Sequence, residues 1–210
     1  MPRSAPGFWQ GRGVAAWCLL PLSLLFAFLA GLRRRLFALG VLKAERLPVP
    51  VIARVQGMAT AAGCQLVAQC DLAVASEAAS FATSGIHYGL FCATPSVPLV
   101  RNVPTKRAME MLLTGDFIDA RTALEQGLVN RVVAPGLLDV EVELLVQSIV
   151  EKPRAAVAMG KALVYQQREL GLEAAYQLAG QAMACNMMDA AAQEGARAFA
   201  EKRQPAWKPG

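Results

Sequence analysis

Residues 51–71 constrain the fold more than any other part of this 210-residue chain. Their sequence is VIARVQGMATAAGCQLVAQCD: a β-branched run typical of a strand, then small residues, then a short helix expected to begin near Gly63. The first-turn N–H groups of such a helix have no internal partners, and the helix dipole favours an anion there. The segment therefore predicts a strand, a turn and a helix whose backbone amide faces an oxygen that gains negative charge.

The stretch that follows lacks acidic side chains. Between Glu77 and Glu110 there is no Asp or Glu. Carboxylates are common proton carriers in active sites, so their absence limits the chemistry that this stretch can perform. The sequence predicts a place to hold a carbonyl oxygen, with no carboxylate beside it to move protons.

Charge is distributed unevenly along the chain. The first 44 residues contain six Lys and Arg and no acid, whereas from Glu45 onward 15 Lys and Arg face 16 Asp and Glu. The pI of about 9.1 therefore belongs to the leader, and no basic face indicates nucleic acid as a partner. The five cysteines are odd in number and form no CxxC pair, which predicts buried thiols rather than a disulfide framework or a zinc site.

The leader, residues 1–46, has three interpretations. Residues 14–32 are uncharged and are followed by Arg33, Arg34 and Arg35, which suits a segment that crosses a hydrocarbon core of roughly 30 Å. The Arg-rich, acid-free character also suits an organelle presequence, although the run is apolar and poor in serine. An alternative or mispredicted first exon is the third interpretation, and Pro21 in mid-run weakens any helix.

In the body of the chain, strands are predicted over residues 49–55, 71–75, 80–83 and 129–133, with a turn over 57–63 and a helix to Gln69. Residues 85–98 are expected to be irregular because glycines and prolines interrupt them. A helix is predicted from near Thr105 to Gly115, with Ala108, Met109, Leu112 and Leu113 on one face.

Helices dominate the rest. Asp119 is a good N-cap for a helix that ends at Gly127. After Pro135 apolar residues recur at helical spacing, and Asp189 is predicted to cap a last helix through Arg203. The apolar stripes of residues 136–210 have little sheet left to cover, which predicts self-association, the alternative being closure of a monomer. The stripes consist of Leu138, Val142, Leu145, Val146 and Ile149, of Val157, Leu163 and Val164, and of Leu172, Tyr176, Ala179, Met183 and Met187.

A series of motifs in fixed order resembles the crotonase (enoyl-CoA hydratase/isomerase) superfamily. The resemblance runs from about Leu47 to Gly210, and it is specific because many motifs agree in order although each alone is weak. The motifs are PVIA at 50–53, GMATAAGCQL at 57–66, CDLA at 70–73, FA at 81–82, Gly89, AMEMLLTG at 108–115, Ala123, GLV at 127–129, EG at 194–195, AF at 198–199 and EKR at 201–203.

The resemblance implies an α/β fold of stacked ββα units, here partial over residues 47–135, and a helical oligomerisation region over 136–210 that builds trimers and often hexamers. It implies an acyl-CoA thioester as the ligand, with no cofactor or metal, and one oxyanion amide at Ala62. The second oxyanion amide and much of the CoA pocket belong to the N-terminal half of the family fold. Nothing before Leu47 looks like that half, so the chain resembles a truncated product.

Both carboxylates that hydratases of this family use are absent. Gln65 stands at the first position and Gly85 at the second, and Ala93 with its neighbours supplies no aspartate of the isomerase kind. An amide cannot take a proton from water at neutral pH, and glycine offers no side chain. Ordinary hydratase chemistry is therefore not expected.

Five residues remain as candidates for contacts or for purely structural roles. His87 could act as a base, against the favoured interpretation of a loop histidine bonded to backbone. Gln65 could hold a water on the thioester or satisfy backbone groups at the helix start. By resemblance, Phe199 and Lys202 contact CoA, with a solvated helix end as the alternative for Lys202. Asp71, at the start of a strand, is interpreted as structural.

Two functions stay open at this stage. The resemblance implies a mitochondrial acyl-CoA-binding protein of fatty acid metabolism, with weak or lost hydratase activity. The alternative is a non-catalytic isoform that joins full-length subunits through its C-terminal helices. Tethering to a membrane through residues 14–32 is a third and more remote interpretation.

Overall fold

A computed structural model describes residues 14–42 and 47–207. These residues fall into two compact units, one ending at residue 46 and one beginning at Leu47. The first unit contains helix α1, Val14–Ala38, which continues through Pro21 and carries the Arg33 guanidinium 5.3 Å from the centre of the Phe37 ring. No helix in the described part of the chain is both long and apolar enough to cross a membrane.

The second compact unit, from Leu47 onward, opens with two successive ββα repeats. This arrangement confirms the predicted α/β class. The first ββα repeat consists of β1 (Ile52–Val55), β2 (Met58–Thr60) and α2 (Ala62–Gln69). β3 (Leu72–Ser76), β4 (Ser80–Ala82) and α3 (Ala93–Asn102) form the second, with a 3₁₀ turn at Ser84–Tyr88 between β4 and α3. The remaining elements are α4 (Thr105–Thr114), β5 (Ile118–Asp119), α5 (Ala120–Glu125), β6 (Arg131–Val133), a 3₁₀ turn (Pro135–Leu137), α6 (Leu138–Val150), α7 (Arg154–Gln167), α8 (Leu172–Met187) and α9 (Ala190–Ala200).

Parallel strand pairing places the two ββα repeats next to each other. One sheet has the order β1-β3-β6, with Ile52 opposite Leu72 and Val74 opposite Arg131. The other has the order β2-β4-β5, with β2 and β4 parallel and β5 antiparallel to β4. Because β2 and β4 run in the same direction, the turns that follow their carboxyl ends meet at one edge of this sheet.

Two sequence expectations about α3 and β2 are wrong. Residues 85–98 are not irregular throughout, since α3 contains Pro95 and Pro98. Pro95 lies in the first turn of α3, where proline is tolerated. Pro98 lies inside the helix, where a proline costs about 3 kcal/mol; it is buried beside Leu99, and α3 packs against α2. The predicted turn over 57–63 also contains strand β2, which is only three residues long.

Two of the four residues predicted to share a face of α4 are buried, and Met111 is buried beside them. Ala108, Met111 and Leu112 are buried, whereas Met109 and Leu113 are exposed. Thr83, fully buried, donates a hydrogen bond from Oγ1 to the Met111 carbonyl at 2.7 Å. This face is the one that packs toward the end of β4.

The C-terminal helices divide into a packed part and an exposed part. Leu138 and Leu145 of α6 form a core with Val74, and Val142 and Ile149 pack against it, as the stripe predicted. In α8 the apolar stripe is exposed, with Leu172 at 77% and Tyr176 at 73% of full accessibility, and with Met183 and Met187 exposed beside them.

The predicted side-chain cap of α9 does not form. Asp189 occupies the N-cap position, but its side chain accepts no hydrogen bond from the helix. The Asp189 Oδ2 atom instead accepts a bond from Asn186 Nδ2 at 3.0 Å. The helix ends at Ala200, three residues before the predicted Arg203.

Candidate oxyanion site

A strained turn joins β2 to α2. Ala61 stands between strand and helix with φ 48° and ψ −112°, a conformation that residues with a Cβ rarely adopt. Its N–H donates to the Ala82 carbonyl of β4 at 3.0 Å, and its carbonyl accepts the Gln65 N–H at 3.0 Å. The turn is therefore tied both to the neighbouring strand and to the helix that it starts.

Ala62 is the first residue of α2 and is exposed. An amide at this position has no intrahelical acceptor, and the aligned peptide dipoles of the helix favour negative charge in front of it. The first turn of α2 carries no acidic side chain that would compete for the place. The arrangement can stabilise an oxygen that becomes negatively charged, because a backbone donor is already in position before the charge develops.

Gln65 lies on the first turn of α2 and is half-buried. Its backbone N–H closes the Ala61 turn, but in the described part of the chain its side-chain amide makes no hydrogen bond. The interpretation that this side chain satisfies backbone groups at the helix start is therefore not supported. The amide is available to a ligand or a water.

Gly85, the position of the second expected carboxylate, is closed to side chains. A Cβ built there would lie 2.6 Å from the Leu90 carbonyl oxygen and 2.9 Å from the Cys92 Sγ atom. The Leu90 N–H also donates to the Gly85 carbonyl at 3.1 Å. The loop has packed onto the place where a carboxylate side chain would begin, so the acid is excluded by backbone geometry as well as by sequence.

The Cys92 thiol also links this loop to α2. Cys64, in the first turn of α2, and Cys92 are both buried and close enough to interact electrostatically. Burial, with a smaller contribution from Cys92, raises the pKa of Cys64 to about 12. The Cys64 thiol is therefore not suited to act as a nucleophile at neutral pH.

His87 is engaged by backbone. Its Nε2 atom lies 3.1 Å from the carbonyl oxygen of Gly115, the C-cap of α4, so the ring donates to that carbonyl from this nitrogen. A side chain at Gly115 would collide with the His87 ring, since its Cβ would fall 2.8 Å from Nε2. This contact agrees with the interpretation of His87 as a loop histidine that is hydrogen-bonded to the backbone.

Three hydroxyl residues at the ends of β2 and β4 support the site and were not singled out from the sequence. Thr60 Oγ1 and Ser84 Oγ lie 2.7 Å apart, and Thr83 is bonded to Met111. The hydroxyl pair ties the turn before α2 to the turn that carries Gly85. The position of these residues at the carboxyl ends of two parallel strands could have identified them. That position is not apparent from the sequence, which predicts a turn where β2 lies.

Several predicted residues lie elsewhere. Phe199 is 87% exposed on α9, and Lys202 follows that helix, exposed and with φ 54°. Asp71 accepts hydrogen bonds from Val51 and from α7, which confirms its structural interpretation. Within residues 14–42 and 47–207, no cluster of three or more His, Cys, Asp or Glu residues could hold a metal ion.

Two cavities of the second compact unit lie away from Ala62. One of about 450 Å³ lies beside Asp71, between the start of β3 and α7, and includes Lys161 and Arg168 in its lining. A second, of about 310 Å³, adjoins it and is lined mainly by apolar residues before β1 and along α6. Ala62, which is exposed, lines neither of these two cavities.

Comparison with protein families gives a match over residues 30–210 to the enoyl-CoA hydratase/isomerase family. The chain belongs to this family. The match begins upstream of Leu47, so the family likeness extends further toward the N-terminus than the motifs indicated.

Among curated members of the enoyl-CoA hydratase/isomerase family, the chain is similar to the mitochondrial enoyl-CoA hydratase domain-containing protein 3. The rat protein is 51% identical over 160 residues, which is 76% of this chain and 53% of the relative. The human protein gives the same values. The chain therefore spans about half the length of these relatives.

Solved structures confirm the crotonase fold. The crystal structure of human enoyl-CoA hydratase domain-containing protein 3 matches with a TM-score of 0.73 at 51% identity, over 76% of this chain and 63% of that one. An enoyl-CoA hydratase from Mycobacterium smegmatis matches with a TM-score of 0.75 at 65% identity, over 77% and 63%.

Proposed function

We propose that this chain binds CoA thioesters, holding the thioester oxygen on the Ala62 amide, and does not hydrate enoyl chains. One observation carries the proposal: a helix-start amide is presented by a fixed turn, while the Leu90 carbonyl and the Cys92 thiol close the neighbouring carboxylate position at Gly85. An oxyanion donor polarises a carbonyl, but addition of water needs groups that take and give a proton.

The relatives support this setting. The rat and human relatives are named as mitochondrial proteins with an enoyl-CoA hydratase domain. From these names we propose that the chain has a role in mitochondrial fatty acid metabolism. Phe199 and Lys202 are proposed as CoA contacts because both are exposed at the end of α9, where a ring and an ammonium can meet an adenine and a phosphate. Gln65 is proposed to orient a water on the bound thioester.

Calorimetry with the purified full chain tests the proposal. Titration with crotonyl-CoA should show binding, free CoA should bind more weakly, and the enoyl absorbance of crotonyl-CoA should persist. Hydration that survives in both Gln65→Ala and His87→Ala would overturn the proposed loss of activity. Absence of any thioester binding would overturn the proposed function as a whole.

A proline substitution removes the donor of the Ala62 amide. Proline is tolerated at the first position of a helix, so Ala62→Pro should keep α2, although its ring also moves the preceding residue, Ala61, to an extended conformation. We expect thioester affinity to fall by up to about tenfold, since one hydrogen bond to a neutral carbonyl contributes about 0.5–1.5 kcal/mol. Ala190→Pro, at the first position of α9, makes the same change away from the site and should leave the affinity unchanged.

A second function is favoured by the exposed stripe of α8. Leu172, Tyr176, Met183 and Met187 form an apolar surface that a single chain leaves in water. We propose that α8 packs on other subunits, either in a homo-oligomer such as a trimer or hexamer or in mixed oligomers with full-length relatives. Co-purification of the chain with a full-length relative, without acyl-CoA binding by the chain alone, would favour this function over the first.

A further inference from the structure

We infer that Ala61 is the positioning residue of the oxyanion site, and that its strained backbone aims the Ala62 amide. The inference rests on the proposed thioester binding and goes one step further, because it assigns the direction of the donor to a residue that donates nothing itself. Four features of the turn lead to it.

The first feature is the conformation. Among the described residues other than glycine, only Ala61 and Lys202 have positive φ. With ψ of −112°, Ala61 lies outside the left-handed helical region, in a part of the map that glycine enters easily and alanine does not. Such outliers persist only where surrounding contacts hold them.

The second feature is the set of contacts that hold the strain. The Ala61 N–H is bonded to Ala82 and its carbonyl to the Gln65 N–H, each at 3.0 Å. One residue before, Thr60 is bonded through its hydroxyl to Ser84 at 2.7 Å. Strand, helix and the neighbouring turn therefore all constrain one residue.

The third feature is the geometry of the peptide bond between Ala61 and Ala62. In a trans peptide the C=O and N–H bonds point in opposite directions in one plane, and no peptide bond between described residues is cis. The Ala61 carbonyl points into the helix, where it accepts the Gln65 N–H. The Ala62 N–H must therefore point away from the helix, toward the space in front of its first turn.

The fourth feature follows from the other three. The ψ angle of Ala61 rotates this peptide plane, so a change of that angle turns the Ala62 donor by the same amount. A side chain that cannot hold φ 48° will rotate the plane, whereas glycine can keep it without strain.

Two substitutions test the inference in the full chain. The probes are butyryl-CoA and S-butyl-CoA, its thioether analogue, which has the same carbons and sulfur and no carbonyl. In the native chain we expect tighter binding of the thioester, together with a lowered C=O stretching frequency in difference infrared spectra of the ¹³C-labelled thioester.

Ala61→Val should reduce thioester affinity at least tenfold, to that of the thioether, and should abolish the infrared shift while thioether affinity stays within twofold. Ala61→Gly should keep the preference and the shift and should raise the thermal midpoint, because the strain is relieved. Ala190→Gly, at an unstrained helix start, should lower the midpoint slightly and leave binding unchanged.

The outcomes separate this inference from the proposed function. A native chain that binds both probes equally, or an Ala61→Val chain that keeps the preference and the shift, overturns the positioning role while thioester binding stands. A native chain that binds neither probe overturns the proposed function and this inference with it. If Ala61→Val does not fold, the Ala61→Gly midpoint still decides, since a fall larger than that of Ala190→Gly contradicts the strain.

Discussion

The Asp71 carboxylate and the Lys161 ammonium lie 2.7 Å apart and tie the start of β3 to α7. Both side chains are largely buried, at 16% and 12% of full accessibility. The same carboxylate accepts hydrogen bonds from the Tyr165 hydroxyl and from the Val51 N–H, each at 2.7 Å. One acid thus joins the start of the central strand β3 to a helix of the C-terminal region.

Replacing Lys161 with methionine should lower the free energy of unfolding by about 2–3 kcal/mol, because a mostly buried carboxylate loses its charged partner. Urea denaturation at pH 7 measures the change. Glu110→Gln, which breaks the exposed pair with Arg107, serves as the control and should cost no more than about 0.5 kcal/mol. Equal costs for the two variants would contradict a structural role for the buried pair.

Stability should fall in acid through Asp71. Burial alone would raise the pKa of Asp71, but the hydrogen bonds it accepts, first that from Lys161, outweigh burial and hold the pKa below its ordinary value. A lowered folded pKa adds stability above the unfolded value of about 3.9, and this stability is lost as pH falls through the folded value. Urea midpoints between pH 2 and 6 should therefore drop less steeply in Asp71→Asn than in the native chain; parallel curves would refute the linkage.

Gly85→Ala should destabilise the chain by about 1–3 kcal/mol, because the added Cβ would meet the Leu90 oxygen at 2.6 Å and the Cys92 sulfur at 2.9 Å. Gly136→Ala is the matched control, since a Cβ there meets nothing within 4 Å. Thermal unfolding of both variants measures the difference. Gly85→Glu should likewise be destabilised and should not restore hydration of crotonyl-CoA; a stable, active Gly85→Glu chain would show that the loop is not closed.

The cysteines should differ in reactivity. A Cys64 pKa of about 12 leaves roughly one thiol in 10,000 ionised at pH 8, and the group is buried, whereas Cys185 is exposed. Brief treatment of the native chain with iodoacetamide at pH 8 should alkylate Cys185 and spare Cys64, as peptide mass spectrometry would show. Treatment in urea is the control and should label both; rapid native labelling of Cys64 would contradict its burial.

Tyr176→Lys should weaken self-association. The residue is 73% exposed in the centre of the apolar stripe of α8, and a lysine there would place a charge in the proposed interface. Size-exclusion chromatography with light scattering should show smaller species than for the native chain. Val140→Lys, on the exposed face of α6, is the control and should leave the mass unchanged; the same mass for both variants would place the interface elsewhere.

Sequence patterns predicted the elements whose signals are local. The β-branched run before Gly57 and the periodic apolar residues of α6 gave a strand and a packed helix, and Asp119 caps α5 by accepting the Thr122 N–H at 2.7 Å. Helix α3 could not be predicted locally, because glycine and proline in residues 85–98 indicate an irregular segment, whereas the packing of α3 against α2 is not visible in the local sequence.

The site was predicted in part for the same reason. The strand, the small residues and the helix that follow one another before and after Gly63 predicted an amide at a helix start, and the family resemblance assigned that amide to Ala62. The closure of Gly85 and the Thr60–Ser84 hydrogen bond depend on the pairing of β2 with β4, two segments about 20 residues apart. Sequence showed that a carboxylate is missing, and only packing showed that its place is filled.

The order β1-β3-β6 sets a limit on how the chain can fold during its synthesis. The central strand β3 pairs on one side with a segment already made and on the other with residues 131–133. A nascent chain on the ribosome therefore holds β3 with one open edge until more than 50 further residues have emerged. Slow translation between β3 and β6 would lengthen that exposure, so codon choice in this interval should affect how much of the product reaches the native state.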